Sequence, residues 1–288
     1  MMCAVRLLLT LLAVLLTTPA AAAGLDDISV DRLNAVEPSR RQARFNSVVR
    51  ELAMAMTPSP NHAVAALGLY ELEAGVETRL AFIHTGPALG EATSPWQDMV
   101  EDGDPLPVYF SPGLVLRKGL PFGFEVGGRA SWILLTRQFM VSGYGRAVPF
   151  GGWSKVPDVA IQWGYTGYVG NSQLQLGVFD LDVTIGYSFD IAGSATKRTT
   201  TISPFGGYSF LLADATPGQV DIDFVDPVSG DAERAGPGVN PLDYRFHRIV
   251  LGVEIGGGGA AFRIGGDVSF PRTGAITAAV NVAVTGTI

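Results

Sequence analysis

The sequence predicts an all-β fold, an antiparallel transmembrane β-barrel of about ten strands, and three observations predict it. Between positions 179 and 189 every second residue is apolar (Phe179, Leu181, Val183, Ile185, Tyr187, Phe189), with Asp180, Asp182, Thr184, Gly186 and Ser188 between them. A period of two over such a span describes a strand with one apolar and one polar face. The same alternation recurs along most of the chain, behind an export signal. The chain has 36 glycines and only 16% charged residues, and no stretch after residue 23 is apolar enough for a membrane helix, so apolar surface is spread thinly over many strands.

The leader comes first. Arg6 supplies a basic region, residues 7–16 an apolar core, and Ala21, Ala22 and Ala23 a small-residue cleavage site before Gly24. This is the three-part pattern of a secretory signal peptide over 1–23, and its core is too short for a membrane helix. Cys3 is the only cysteine, so the exported part has no disulfide, thiol nucleophile or cysteine metal site.

Residues 24–60 form a periplasmic or plug segment built on one amphipathic helix. Pro38 marks its start, and Phe45, Val48, Val49, Leu52, Ala55 and Met56 fall on one face. Pro58 and Pro60 end it. The opposite side carries Arg40, Arg41, Arg44 and Arg50.

The barrel is expected over 61–288, with strands beginning near Val64. In the first, Tyr70, Leu72, Ala74, Val76, Leu80 and Phe82 face one way, and Glu71, Glu73, Glu77 and Arg79 the other. The next two run over about 107–118 and 121–136, joined near Gly119, with Glu125 and Arg129 on the polar side of the latter. A weaker fourth covers about 138–149, and a fifth sets Val159, Ile161, Trp163, Tyr165 and Val169 against Gln162, Gly164 and Thr166. The alternating run at 179–189 is the sixth. A seventh, about 199–213, contains Pro204, which suggests a bulge or a late start. The last three span about 244–257, 259–271 and 273–288, with Arg248, Glu254, Arg263 and Asp267 on their polar faces.

Ten is an even number, as expected of single-chain bacterial barrels, although eight or twelve strands are alternatives. With both ends of the sheet on the periplasmic side, the long segments 85–106 and 214–243 fall together on the other, where long outer loops belong.

The signal peptide, the alternating strands and a final strand reaching Ile288 resemble Gram-negative outer-membrane β-barrel proteins. The run from Pro157, Asp158, Val159, Ala160 and Ile161 to Tyr187, Ser188 and Phe189 resembles uncharacterised, porin-like members of that group. The resemblance implies an outer-membrane location, contact with outer-membrane lipid and lipopolysaccharide, and insertion by the outer-membrane assembly machinery. Such proteins usually end in an aromatic residue, and Ile288 departs from that in type.

Chemistry is sparse. The formal net charge of −7 argues against nucleic acid as a partner. The three histidines, His62, His84 and His247, have no obvious catalytic partners, and Asp180 and Asp182 sit where lumen polar residues belong, so no enzyme is expected. Asp221, Asp223, Asp226 and Asp231 fit no standard calcium loop, and 256–259 reads as a turn rather than a phosphate cradle. Neither a metal nor a cofactor is expected.

Function is therefore expected in the lumen or the loops. The expected lumen residues are Glu71, Glu73, Glu77, Arg79, Glu125, Arg129, Asp180, Asp182, Arg248, Glu254, Arg263 and Asp267. A ten-stranded barrel is little wider than one whose side chains fill it, so glutamate–arginine pairs can seal it; an acid-rich gap would favour cations. The arginine face from Arg40 to Arg50 is expected to dock on this acidic interior or its periplasmic mouth as a plug. The expected roles are a narrow or gated channel for small polar solutes or cations, or a non-conducting structural barrel meeting an external partner through its loops.

Overall fold

The computed structural model describes residues 27–60, 62, 64–87, 90–151, 156–191, 200–218, 224–225, 232–233, 239–257, 259–272 and 274–287. The expected signal peptide, the run Asp221, Asp223, Asp226 and Asp231, and the terminal Ile288 lie outside the described residues.

Ten long strands close into one antiparallel barrel: β1 (Leu72–Phe82), β2 (Val108–Gly119), β3 (Phe124–Trp132), β4 (Phe139–Phe150), β5 (Asp158–Val169), β6 (Leu174–Gly186), β8 (Thr200–Pro217), β11 (Leu242–Gly257), β12 (Ala260–Pro271) and β13 (Thr277–Thr287). Between them, β7 (Phe189–Ile191) continues the line of β6 past a break and pairs with β8. β9 (Phe224–Val225) and β10 (Ala232–Glu233) pair with each other in the β8–β11 connection. Each barrel strand pairs with the next, β8 pairs with β11, and β13 returns to β1, so the wall is continuous. Closure of this kind removes the unpaired edges that an open sheet would expose.

The alternation acts inside out relative to a water-soluble core. On β6, Asp180, Asp182 and Thr184 are buried while Phe179, Leu181, Val183 and Ile185 are exposed. Across the wall, Arg146 and Asp182 are each 1% exposed, whereas Trp163 is 41% and Leu251 66% exposed. Val76 has Val284 and Leu114 as its cross-strand partners, an outward apolar ladder over three strands. Withdrawing apolar surface from water is worth roughly 25 cal/mol per Å², so a wall this apolar belongs against hydrocarbon. No helix among the described residues is long and apolar enough to cross a membrane.

Glycine serves close approach in this wall. Gly145 lies opposite Trp163 on the outside, and a Cβ there would sit 2.7 Å from the indole. Inside, a Cβ on Gly127 would meet the Tyr144 ring at 2.3 Å. In both cases an aromatic ring covers the gap a glycine leaves on the neighbouring strand. The β2–β3 turn needs left-handed backbone at Phe122 (φ 62) and Gly123 (φ 73), which places the Phe122 ring, 95% exposed, at the rim.

Two expected features differ. Pro204 makes neither a bulge nor a late start: the strand begins at Thr200, and its register with Val253 is unbroken. In an antiparallel ladder a residue's N–H and C=O point to the same neighbour, and the Pro204 carbonyl accepts from Tyr187 N at 3.2 Å, at the break between β6 and β7. The missing donor thus falls where the partner strand is interrupted. The first strand begins at Leu72 and not near Val64, because Val64 is buried in an apolar cluster with Val148, Ala160, Phe205 and Val250 inside the barrel.

Connections 83–107 and 218–241 leave the same end of the barrel, together with the short ones at 133–138, 170–173 and 272–276; turn 120–123 and the β11–β12 turn lie at the other end. Residues 27–71 run between the two ends through the interior. Ile28 bridges Val100 in the first long connection, a 3-10 turn covers Val30–Ala35, and α1 covers Pro38–Met56. Pro38 opens the helix, where its missing N–H has no intrahelical partner to lose. Thr57 closes it, its N–H and hydroxyl both donating to the Ala53 carbonyl. The last turn, Leu52 to Met56, is buried on every side, which an amphipathic surface helix never is. At the short-turn end Gly119 N donates to the Glu71 carbonyl, and β1 begins.

Candidate functional site

The lumen is organised in layers, each defined by what the inward side chains of the wall do to segment 27–71. At the long-loop end the layer is apolar. Phe45, Val48, Val49, Leu52 and Met56 of α1 join Trp96, Met99 and Val100 of the first long connection, and the inward Met140, Tyr168, Leu176, Val178, Leu211 and Phe246. Glu51 is the exception on this face. Its Oε2 accepts from Trp96 Nε1 at 2.8 Å and from His84 N at 2.9 Å, and burial pushes its carboxyl above the usual carboxylate range despite those bonds.

Beneath it, two wall arginines hold the end of the helix. Arg79 donates to the Ala55 carbonyl at 2.7 Å and the Met54 carbonyl at 3.2 Å, and also to Asp267 at 2.6 and 3.0 Å. Arg248 donates to the Met54 carbonyl at 3.2 Å and the Pro58 carbonyl at 3.1 Å, and lies 3.4 Å from Asp267. The last carbonyls of a helix lack intrahelical partners and carry the negative end of its dipole, so two guanidiniums balanced by one carboxylate satisfy both needs. Asn281 joins through bonds to Arg79 and Asp267.

The middle layer centres on His62. Its ring stacks on Tyr144 with centroids 6.0 Å apart, and Nε2 is 3.1 Å from the Gln162 side-chain oxygen. Gln162 in turn donates to Asp182 at 3.1 Å. Arg129 lies over the other partner, 5.1 Å from the Tyr144 centroid, and pairs with Glu77 at 3.2 Å. Complete burial and the surrounding Arg117, Arg146, Arg129 and Arg263 hold the imidazole pKa well below 6.5, so His62 is neutral.

At the short-turn end an ion-pair ring fills the bore. Glu73 pairs with Arg117 at 3.0 Å and Arg263 at 2.6 Å; Glu125 pairs with Arg117 at 3.2 Å and Arg146 at 2.9 Å; Glu254 pairs with Arg263. The passing chain is tied in through its backbone: Leu67 N donates to Glu125 at 2.6 Å, and Arg146 donates to the Val64 carbonyl at 3.0 Å.

Of the expected lumen residues, Glu73, Arg79, Glu125, Arg129, Asp180, Asp182, Arg248, Arg263 and Asp267 are buried inside, and Glu77 and Glu254 are paired there with their side chains 15% exposed. Glu71 is not among them. It precedes β1 on an exposed turn, where its carboxylate accepts from Gly68 N at 2.7 Å. The arginine face of α1 also departs from expectation. Arg44 pairs with Glu91 at 2.9 Å and Asp98 at 3.2 Å, Arg40 pairs with Glu91, Arg41 donates to the Val36 and Asn34 carbonyls at 2.9 Å, and Arg50 lies 4.7 Å over the Tyr244 ring. The reason is geometric: the apolar face and the last turn go inward, which turns the arginines to the rim, where the first long connection supplies nearer acids. Five lumen acids, Glu73, Glu77, Glu125, Glu254 and Asp267, are already paired with wall arginines.

Sequence reasoning missed the carbonyls of Met54, Ala55 and Pro58, the role of Glu51, and the chain His62–Gln162–Asp182. Two prolines closing a helix, followed by a histidine, signal a segment that is neither helix nor strand; nothing in a one-dimensional pattern says that it runs inside the barrel. Among the described residues no group of three or more potential metal ligands converges.

No family model and no curated protein matches the sequence. Among solved structures, the chain is similar to LpxR from Salmonella typhimurium (TM-score 0.35, 12% identity, covering 62% of this chain and 72% of that one). It is also similar to Neisserial surface protein A (TM-score 0.29, 11% identity, 76% and 97%). A third similarity is to the N-terminal β-barrel domain of Pseudomonas aeruginosa OprF (TM-score 0.28, 10% identity, 77% and 100%). At TM-scores this low the similarities carry nothing about what this chain does.

Proposed function

We propose that this chain is an outer-membrane β-barrel held shut by its own N-terminal segment, and that it works as a non-conducting structural or surface-interaction barrel acting through its long-loop end. The observation that carries the reading is the grip of Arg79 and Arg248 on the carbonyls of Met54, Ala55 and Pro58. Lumen bases in an open channel would face water or permeant ions; here they are ligands for backbone. Export through a cleaved signal peptide at 1–23, contact with outer-membrane lipid and lipopolysaccharide, and insertion by the assembly machinery belong to the same proposal. So does an external partner meeting loops 83–107 and 218–241. The apolar outer wall and the gathering of both long connections at one end support it.

Planar-bilayer recording on the refolded chain, with heat-modifiable gel migration as the check on folding, tests it. The full chain is expected to be silent, and deletion of residues 27–57 is expected to produce discrete steps. Cation-selective steps from the full chain would replace this reading with the gated channel for small polar solutes or cations.

A further inference from the structure

A groove of about 510 Å³ opens on the outer wall near the long-loop end, lined by Phe210, Arg245, His247, Phe270, Pro271 and Arg272. We infer that it binds the phosphate-bearing headgroup of a membrane lipid, an inference that rests on the membrane-barrel reading above.

The groove is built by register. Tyr244, Phe246 and Arg248 of β11 are buried inside, which sends Arg245 and His247 outward. His247 has Phe210 of β8 and Phe270 of β12 as its cross-strand partners, with ring centroids 5.6 and 6.0 Å away. Tyr208 hydrogen-bonds to His247 Nδ1 and stacks on it, which fixes the imidazole in the wall. Arg245 lies opposite Leu212, and Arg272 directly follows the end of β12. Both guanidiniums therefore sit on the rim side of a row of apolar rings.

That order, rings toward the barrel's waist and cations toward its rim, matches the order of an anionic amphiphile, with acyl chain below and phosphate above. Arginine is suited to the upper part, because its fork donates two bonds to phosphate oxygens while its stem lies along apolar surface. Neither Arg245 nor Arg272 has a hydrogen-bond or ion-pair partner among the described residues, whereas the lumen arginines Arg79, Arg117, Arg129, Arg146, Arg248 and Arg263 are all matched to carboxylates. In a chain of net charge −7, two adjacent unmatched cations on the membrane-facing wall mark a place for an anion from outside the protein. A free anion would have no use for the ring surface below, which favours the lipid.

Native mass spectrometry of the refolded chain, released from neutral-detergent micelles doped with phosphatidic acid or with phosphatidylcholine, tests the assignment against the double variant R245Q/R272Q. Both substitutions are exposed and leave the lumen untouched. The parent chain is expected to retain phosphatidic acid in preference to phosphatidylcholine, and the variant to bind it at least about tenfold more weakly. Equal retention by the two proteins overturns the site, and retention of inorganic phosphate in place of lipid overturns the lipid as its source. Vesicle insertion is scored separately by heat-modifiable migration. A chain that enters no bilayer defeats the membrane reading itself, while insertion without headgroup preference defeats only this groove.

Discussion

At His62 a single side chain couples the inner segment to pH. Its folded pKa lies well below 6.5 because it is fully buried among arginines. A depressed histidine stabilises the folded state fully above its unfolded pKa, and loses that contribution as pH falls below 6.5 toward the folded value. Acidification below 6.5 should therefore loosen segment 57–71, measured as faster proteolysis at neighbouring bonds by an acid-tolerant protease. In His62→Gln, which keeps a polar partner for Gln162, the same acid step should have a smaller effect; an unchanged acid response would assign it elsewhere. Glu51 has the opposite sign. Its raised carboxyl pKa means that its contribution is present below 4.5 and lost as pH rises through the folded value. Glu51→Gln should thus be neutral or stabilising near pH 7 in thermal unfolding, since both donors, Trp96 Nε1 and His84 N, share one oxygen that an amide retains.

Elements show where sequence is legible and where it stops. The strands were readable because a wall between lumen and lipid imposes a period of two on every residue, and β6 carries that pattern without a break from Phe179 to Ile185. The helix was readable from its apolar spacing and its prolines. Its partners were not, because the acids that Arg40 and Arg44 meet lie in a long connection with no periodicity, and the carbonyls that Arg79 meets have no sequence signature at all. Glu71 was misplaced by one strand end: alternation continues past the point where pairing stops. The grip on α1 gives a prediction at this scale. Arg79→Ala leaves Asp267 with only Arg248 and Asn281 and exposes the end of the helix, at a cost of about 3–5 kcal/mol for breaking a buried ion pair. Hydrogen exchange should rise across 45–58 while the β4–β5 and β5–β6 amides stay protected. A uniform rise over the whole barrel would show that helix and wall are one cooperative unit.

For the whole molecule the wall was the legible part and the filling was not. Strand number, parity and the end that carries the long connections follow from counting alternating segments, whereas the path of residues 57–71 through the bore depends on contacts between positions such as Leu67 and Glu125 that no local pattern links. The ledger of charge makes the same point: acids outnumber bases in the chain, yet the bore is close to matched because arginines from β1, β2, β3, β4, β11 and β12 converge there.

The seam between β1 and β13 joins the two ends of the sheet, with Glu73 opposite Thr287, and it encloses a helix that is about 28 Å long at 1.5 Å per residue. Its last turn is gripped by Arg79 and Arg248, and the chain that follows it threads a ring of ion pairs at Leu67. Threading of that kind is simplest if the strands wrap around a segment already in place, with the seam the final long-range closure; the segment that we propose as a plug would then also serve as a mandrel for assembly. Supplied as a separate peptide to a barrel that has closed without it, the segment should fail to restore silence in the bilayer; supplied before refolding starts, it should succeed.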